Sequence, residues 1–277
     1  MEADLAFAVE LADRAGAVLM DSFGKVQRID RKSARDVVTD VDFTSEALII
    51  DAIRDRFPDD AILAEESGAH AGAREARDGA NGRVWLIDPL DGTVNYANGI
   101  PFFCVSIGLT TDGLPSAGVV LDPARGDRYT ATRDAPAQLN GEPVRASDKE
   151  AIADFVISLT VIGRGGATRE RAIGREIRIP RRMGSAALAL AYVASGRFDA
   201  FVQSGGLSLW DVAAAGLIAE RGGAAVSDTK GGPWFDLRRA GRRTSIVAAP
   251  AVHHPRLLEL IGPRRRGVSP GGADPPR

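Results

Sequence analysis

The chain has 277 residues, 44% apolar and 26% charged, enough to build one large or two ordinary globular domains without staples. With 35 basic and 37 acidic residues the net charge is −2, which excludes a strongly basic nucleic-acid binder and gives no pull toward an anionic membrane. The single cysteine, Cys104, excludes an intrachain disulfide and a multi-cysteine metal cage. The histidines are His70, His253 and His254, so any metal falls to carboxylates, which favour magnesium, manganese or calcium.

No run approaches the roughly 18–20 apolar residues that span a bilayer, and Met1-Glu2-Ala3-Asp4 lacks the basic region of a signal peptide. A soluble cytoplasmic protein is the expectation. Leu5, Val9, Ala12, Gly16 and Leu19 recur at helical spacing and predict a first amphipathic helix. Ile49, Ile53 and Phe57 predict a second over 46–57, stopped by Pro58. Ala61–Ala64 is a short apolar stretch ending in Glu65-Glu66, and 69–82 reads as a surface excursion. Val84–Ile87 predicts a buried strand that ends at Asp88. Strands follow at Phe102–Leu109, Ala117–Leu121 and Asp127–Thr132, with turns at Thr111-Asp112-Gly113 and Asn140-Gly141.

After about residue 147, strands at Phe155–Leu159, Phe198–Val202 and Ser245–Ala249 alternate with helices over 185–195 and 211–221. The chain thus divides into an α+β half (1–147), an α/β half (148–261) and a Pro-, Gly- and Arg-rich tail (262–277) expected to be disordered. The tail arginines read as solvated, His253-His254 as a surface pair and Cys104 as a core thiol.

The acids carry the chemistry. Taken alone, Asp42 and Asp211 read as helix N-caps, Glu65-Glu66 as a solvated strand end and Asp91-Gly92 as a turn. Asp88-Pro89-Leu90-Asp91-Gly92-Thr93 resists that reading. A buried strand delivers Asp88 where α/β sheets place ligands. Asp91 is close enough to share an ion with it, and the amides of Gly92 and Thr93 open a helix, where phosphate binds.

The sequence Trp85-Leu86-Ile87-Asp88-Pro89-Leu90-Asp91-Gly92-Thr93-Val94-Asn95-Tyr96 resembles the inositol monophosphatase family of magnesium-dependent, lithium-sensitive phosphatases. Ala64-Glu65-Glu66-Ser67 upstream, Trp210-Asp211-Val212-Ala213-Ala214-Ala215-Gly216 downstream and Val38-Thr39-Asp40-Val41-Asp42 extend the match across roughly residues 5–260. The resemblance implies a mixed α+β and α/β fold, the layered αβαβα sandwich of the inositol monophosphatase and fructose bisphosphatase type, usually a homodimer. It implies a phosphomonoesterase acting on a small phosphorylated metabolite, such as an inositol, sugar, histidinol or nucleotide phosphate. Two or three Mg²⁺ ions are implied, with Mn²⁺ as an alternative. Glu65, Asp88 and the Leu90 carbonyl would hold one, Asp88, Asp91 and Asp211 the second, and a third, weaker ion would sit near Glu65. Thr93, paired with Asp42, would position the attacking water, and Gly92 and Thr93 would receive phosphate oxygens. Gly184, Ser185 and Ala186, with Asp91 and Asp211, would contact the organic part of the substrate.

Two departures bear on specificity. The basic residue that often precedes the Asp36–Asp42 stretch would be Lys32, from a loop one residue short. Inositol phosphatases carry a glutamate seven residues before the aspartate that follows tryptophan; ungapped, that position is Ser204, with Gln203 beside it. Broad or non-inositol specificity is therefore the expectation. Two rival readings are an aspartate-nucleophile phosphatase of the haloacid dehalogenase type and a non-catalytic protein of the same fold. The first needs two aspartates at i, i+2, whereas Asp88 and Asp91 are i, i+3. The intact acid set argues against the second.

Overall fold

The computed structural model describes residues 1–25, 29–33, 36–70 and 82–262. Within these, three helical layers alternate with two sheets. An outer layer holds α1 (Glu2–Ser22) and α2 (Asp40–Arg56), the latter preceded by a small hairpin of β1 (Ile29–Ser33) and β2 (Asp36–Thr39). The first sheet is formed by β3 (Ala61–Ala64), β4 (Gly68–Ala69), β5 (Arg83–Asp91), β6 (Cys104–Thr111), β7 (Leu114–Asp122), β8 (Asp127–Thr132), β9 (Gln138–Leu139) and β10 (Glu142–Pro143), in the order β10-β9-β8-β7-β6-β5-β3-β4. Within this sheet, among the described residues, only β3 and β5 pair in parallel.

A short helix α3 (Thr93–Ala97) follows β5. The second sheet, ordered β12-β11-β13-β15-β14, contains β11 (Val156–Val161), β12 (Ile179–Arg181), β13 (Ala200–Leu207), β14 (Ala225–Ser227) and β15 (Thr244–Ala249). Helices α5 (Ala186–Ala191) and α6 (Leu209–Arg221) lie between the sheets, and α4 (Gly166–Gly174) and α7 (His254–Ile261) cover the far face of the second.

Strand alternation explains the layering. Trp85 and Ile87 point from β5 to the α1–α2 core, whereas Val84 and Leu86 point to the central core. On β13, Phe201 and Leu207 join that central core, while Ala200 and Val202 turn outward under α4 and α7. Strands covered on both faces must be continuously apolar, which is how β5 reads in sequence.

Helix α6 comes unusually close to the first sheet. A Cβ on Gly118 would lie 2.7 Å from the Cα of Ala214, and one on Gly108 would lie 3.0 Å from the Ala214 nitrogen. The two glycines set the depth of α6, and with it the height of Asp211. Gly118→Ala must push backbone from backbone, and is expected to cost about 1–3 kcal/mol in urea denaturation; an unchanged midpoint would show that α6 can retreat freely.

Several elements differ from their sequence reading. Helix α2 starts at Asp40, not 46, and β5 continues through Asp88 to Asp91 across a register shift. The predicted helix over 185–195 is α5 followed by a 3₁₀ turn at Tyr192–Ser195. His254 is buried, its Nε2 3.0 Å from Ser227 Oγ, so it is not a surface residue. His253 is half-buried against the Phe155 ring. Lys32 falls on β1, with its side chain outside the described residues, as are most of the 69–82 excursion and the tail from 263. No described helix is long and apolar enough to cross a membrane.

Candidate active site

The acids singled out in sequence converge on one cavity of about 750 Å³, whose walls include Glu65, Glu66, Asp88, Leu90, Asp91, Gly92, Thr93 and Asp211. Four elements supply them. β5 carries Asp88 and Asp91, and its register shift lies between the two. The Leu90 amide donates to Asp88 Oδ1 at 3.1 Å, which fixes the carboxyl at the bulge. Glu65 leaves the end of β3 and is hydrogen-bonded to Asp88. Asp211 lies in the first turn of α6, and Thr93 is the first residue of α3.

Asp42 and Asp211 are not N-caps. The caps are Thr39 and Ser208, and each aspartate occupies the third helical position of a capping box. Thr39 donates to Asp42 Oδ2 from its amide at 2.8 Å and from its hydroxyl at 2.6 Å. The Ser208 amide donates to Asp211 Oδ2 at 2.7 Å. One carboxyl oxygen ties down the helix start, which fixes the direction of the other. Asp42 Oδ1 accepts from the Thr93 hydroxyl at 3.0 Å.

That hydroxyl also lies 3.0 Å from the Leu90 carbonyl, but with one proton it donates to only one oxygen at a time. Asp42 is almost fully buried behind Thr93 and is not itself on the cavity wall.

Asp91 Oδ2 accepts from Ser185 Oγ and from the Ala187 amide, both at 2.6 Å, at the N-terminus of α5. Ser185 therefore acts beneath Asp91, and neither it nor Ala186 is on the cavity wall. Gly184 does line the cavity; its φ is +83°, and a Cβ there would meet Asn95 Nδ2 at 2.8 Å. Asn95 donates to the carbonyls of Phe102 and Met183, both at 2.7 Å, and so holds this loop against the site. Cys104 is fully buried, with Sγ 3.9 Å from Asp91 Oδ2, and burial first, then Asp91 and Asp88, push its thiol well up.

The electrostatics are those of crowded acids. Burial first, then the charges of Glu65, Asp91 and Asp211, hold the Asp88 carboxyl well above the ordinary range. Burial also raises Asp211, with Asp91 adding to it and the Ser208 amide and Arg243 opposing. Asp91 is pushed up to about 6 by burial, although Ser185 and Ala187 pull the other way. Glu65, Asp88, Asp91 and Asp211 are thus the residues that could hold a divalent cation, since hard oxygen donors that repel one another are what such an ion neutralises. Among the described residues no three acid, histidine or cysteine side chains are closed up as a metal cage; Oδ2 of both Asp91 and Asp211 is taken by the hydrogen bonds above.

The wall from the second sheet corrects one expectation. Gln203, not Ser204, lines the cavity. β13 carries an irregularity: Gln203 pairs with Ile246 and Leu207 with Thr244, so three residues of β13 face Ser245 alone. Counting back without gaps from Asp211 therefore lands one residue too far along. Sequence reasoning also missed Glu46, a buried acid on α2. Its two carboxyl oxygens accept from the amides of Glu66 and Ser67, both at 2.8 Å, and clamp the turn that presents Glu65. Its spacing of i+4 from Asp42 was the available signal. Arg243, also on the cavity wall, was missed because it lies in none of the motifs that the sequence singles out.

Two sheets sandwiched among three helical layers, with carboxylates from both halves gathered in one cavity, define the inositol monophosphatase and fructose bisphosphatase type of layered fold. The model of the inositol monophosphatase family matches residues 1–266, and the chain belongs to that family. The inositol monophosphatase of Mesembryanthemum crystallinum is 35% identical over 235 residues, covering 82% of this chain and 86% of that protein. The Nus factor SuhB of Pseudomonas aeruginosa is 37% identical over 251 residues, covering 85% and 89%. Among solved structures, the extragenic suppressor protein suhB of Bartonella henselae superimposes with a TM-score of 0.84 at 33% identity, covering 96% of this chain and all of that one. An IMPase of Thermotoga maritima gives 0.83 at 30% identity, covering 94% and 97%.

Proposed function

We propose that the chain is a magnesium-dependent phosphomonoesterase that hydrolyses a small phosphorylated metabolite with water as the nucleophile. The observation that carries this reading is the meeting of Glu65, Asp88, Asp91 and Asp211 in one cavity beside the Thr93–Asp42 pair. Bound Mg²⁺, or Mn²⁺ in its place, would neutralise the acids, make a water more acidic and stabilise the leaving oxygen. Glu65, Asp88, Asp91, Asp211 and the Leu90 carbonyl would hold the ions.

The chain's own residues supply the rest. Asp42, kept in place by Thr39, takes the Thr93 proton into its Oδ1 hydrogen bond, which leaves the Thr93 oxygen able to accept from a water in the cavity. The amides of Gly92 and Thr93, at the turn where φ of Gly92 is +100°, are available to phosphate oxygens. Asp88 is committed to its bulge, to Glu65 and to the ion site, which disfavours an aspartyl-phosphate. Release of phosphate from a panel of inositol, sugar, histidinol and nucleotide esters, abolished by excess EDTA and inhibited by lithium, tests the reading; full activity in EDTA would sink it.

Thr93→Val removes the hydroxyl while Asp42 keeps its Thr39 bonds. It is expected to lower kcat about 10²–10⁴-fold, the usual range for a positioned proton-transfer group, with little change in KM. Steady-state kinetics check this, and a variant within twofold of the parent would remove Thr93 from the chemistry.

The bacterial relatives named Nus factor SuhB support a second reading, a transcription-associated role for the chain. A strain carrying Asp88→Asn in place of the wild type separates the two: growth dependent on turnover is lost, and growth dependent on a partner is retained.

A further inference from the structure

Among the described residues, Arg243 is the only basic side chain on the cavity wall. It precedes β15 and is held at the irregularity of β13. Its Nη1 donates to the Gly206 carbonyl at 3.1 Å and to Ser208 Oγ at 2.8 Å. The same bulge is pinned from the other side, where the Gly205 amide donates to Ser245 Oγ at 2.9 Å. Gly205 and Gly206 have φ of +81° and +86°, and a Cβ on Gly206 would meet Ile162 Cδ1 at 2.6 Å. Two adjacent residues thus adopt backbone that favours glycine, and what they bring to the cavity is an arginine.

A purely structural arginine would be used up by that task, and this one is not. Both of its hydrogen bonds run through Nη1, so Nε and Nη2 take no partner among the described residues, and the side chain is exposed. Gln203, which also lines the cavity from the second sheet, is a neutral amide. The second-sheet wall therefore offers donors and a positive charge, whereas Glu65, Asp88 and Asp91 come from the first sheet.

We propose that the substrate carries a second anionic group, a phosphate or a carboxylate, besides the phosphate that is removed, and that Arg243 binds it. This rests on the phosphomonoesterase reading and narrows its substrate class. A guanidinium with a free Nε–Nη2 edge presents the planar fork that matches both anions, which a point charge does not. The specificity-determining contact is then an arginine–anion pair.

The test compares matched esters in the presence of magnesium: glucose 1,6-bisphosphate against glucose 1-phosphate, and 2-phosphoglycerate against glycerol 2-phosphate. In at least one pair, kcat/KM should favour the ester with the extra anion by about tenfold or more, the scale of one charge-assisted hydrogen bond. Whichever pair responds tells phosphate from carboxylate. In Arg243→Met that preference should collapse toward unity, chiefly through KM, and Arg243→Lys should keep part of it. A wild type that prefers neither anionic partner, or an Arg243→Met that lowers both members of a pair equally, overturns the proposal. No phosphate release from any of the four esters, or from the inositol, histidinol and nucleotide esters of the wider panel, sinks the phosphomonoesterase reading instead. Calorimetric binding of the same compounds to wild type and Arg243→Met then still decides the role of Arg243.

Discussion

Asp88→Asn is expected to reduce magnesium-dependent phosphate release at least about a hundredfold, a barrier increase of roughly 2.7 kcal/mol. Asp88 is the acid on which the others converge: 1% exposed, bonded to Glu65 and raised by the charges of Asp91 and Asp211. Asparagine keeps the size of the side chain and an acceptor for the Leu90 amide, so the bulge of β5 survives. The charge that would join two cations does not. Without metal, the variant should be at least as stable as the parent, because a buried carboxyl in a crowded acid cluster has been removed. Phosphate release and a melting curve on the same preparation check both halves. A variant retaining more than about a tenth of the parent rate, a deficit of only ~1.4 kcal/mol, would place the chemistry elsewhere.

Magnesium should stabilise the folded protein, and more so at pH 7.5 than at pH 5. A ligand that binds only the native state adds about 2.7 kcal/mol at a hundred times its Kd, or roughly 5–10 °C in Tm for a chain of this size. The pH dependence follows from Asp91. Its folded carboxyl titrates near 6, above the ordinary value of 3.8, because of burial. Between those two values the metal-free native state keeps a proton that the unfolded chain has lost. Metal-free stability therefore falls as pH rises through this window; Asp91's share of the loss is complete above it, and Asp88 and Asp211, also held well above the ordinary range, carry the loss further. A cation that takes the place of the proton removes the loss, and at pH 5 the proton competes with the cation. Thermal melts with magnesium or EDTA at both pH values measure the difference. Identical curves at pH 7.5 would rule out a metal site at these acids. Asp211→Asn, which keeps an acceptor for the Ser208 amide, should shrink the magnesium gain while leaving α6 capped.

Much of this architecture is legible in sequence because burial on both faces leaves no polar alternation to confuse the reading. The run Val84–Ile87 could only be an interior strand, and an acid-Pro-Leu-acid-Gly-Thr segment at its end had to be either a defect or a site. The local positions of Asp42 and Asp211 were harder. Capping-box aspartates differ from N-cap aspartates by one helical turn, and the signal was the Ser/Thr-x-x-Asp spacing of Thr39 with Asp42 and of Ser208 with Asp211, which a reading of each aspartate alone passes over. Gln203 was hidden by the strand irregularity, since residue counting assumes a constant register and two positive-φ glycines break it. Glu46 was hidden because its partners are backbone amides twenty positions away, and those leave no trace in side-chain periodicity. His254 was read as a surface residue from its place near the start of the last helix, although it is buried against Ser227.

The central core unites what the sequence divides near residue 147. Val84, Leu86, Val120 and Tyr129 of the first sheet share one apolar cluster with Phe201, Ile246 and Ala248 of the second, through α5 and α6. Neither half owns a complete interior. A fragment ending near that point would expose one whole face of an eight-stranded sheet, and its counterpart would leave α5 and α6 packed on one side only. The two halves are therefore not exchangeable modules that can be inherited or shuffled separately. They share a single fate in folding and in descent, and the cavity between their strand ends exists only when both are present.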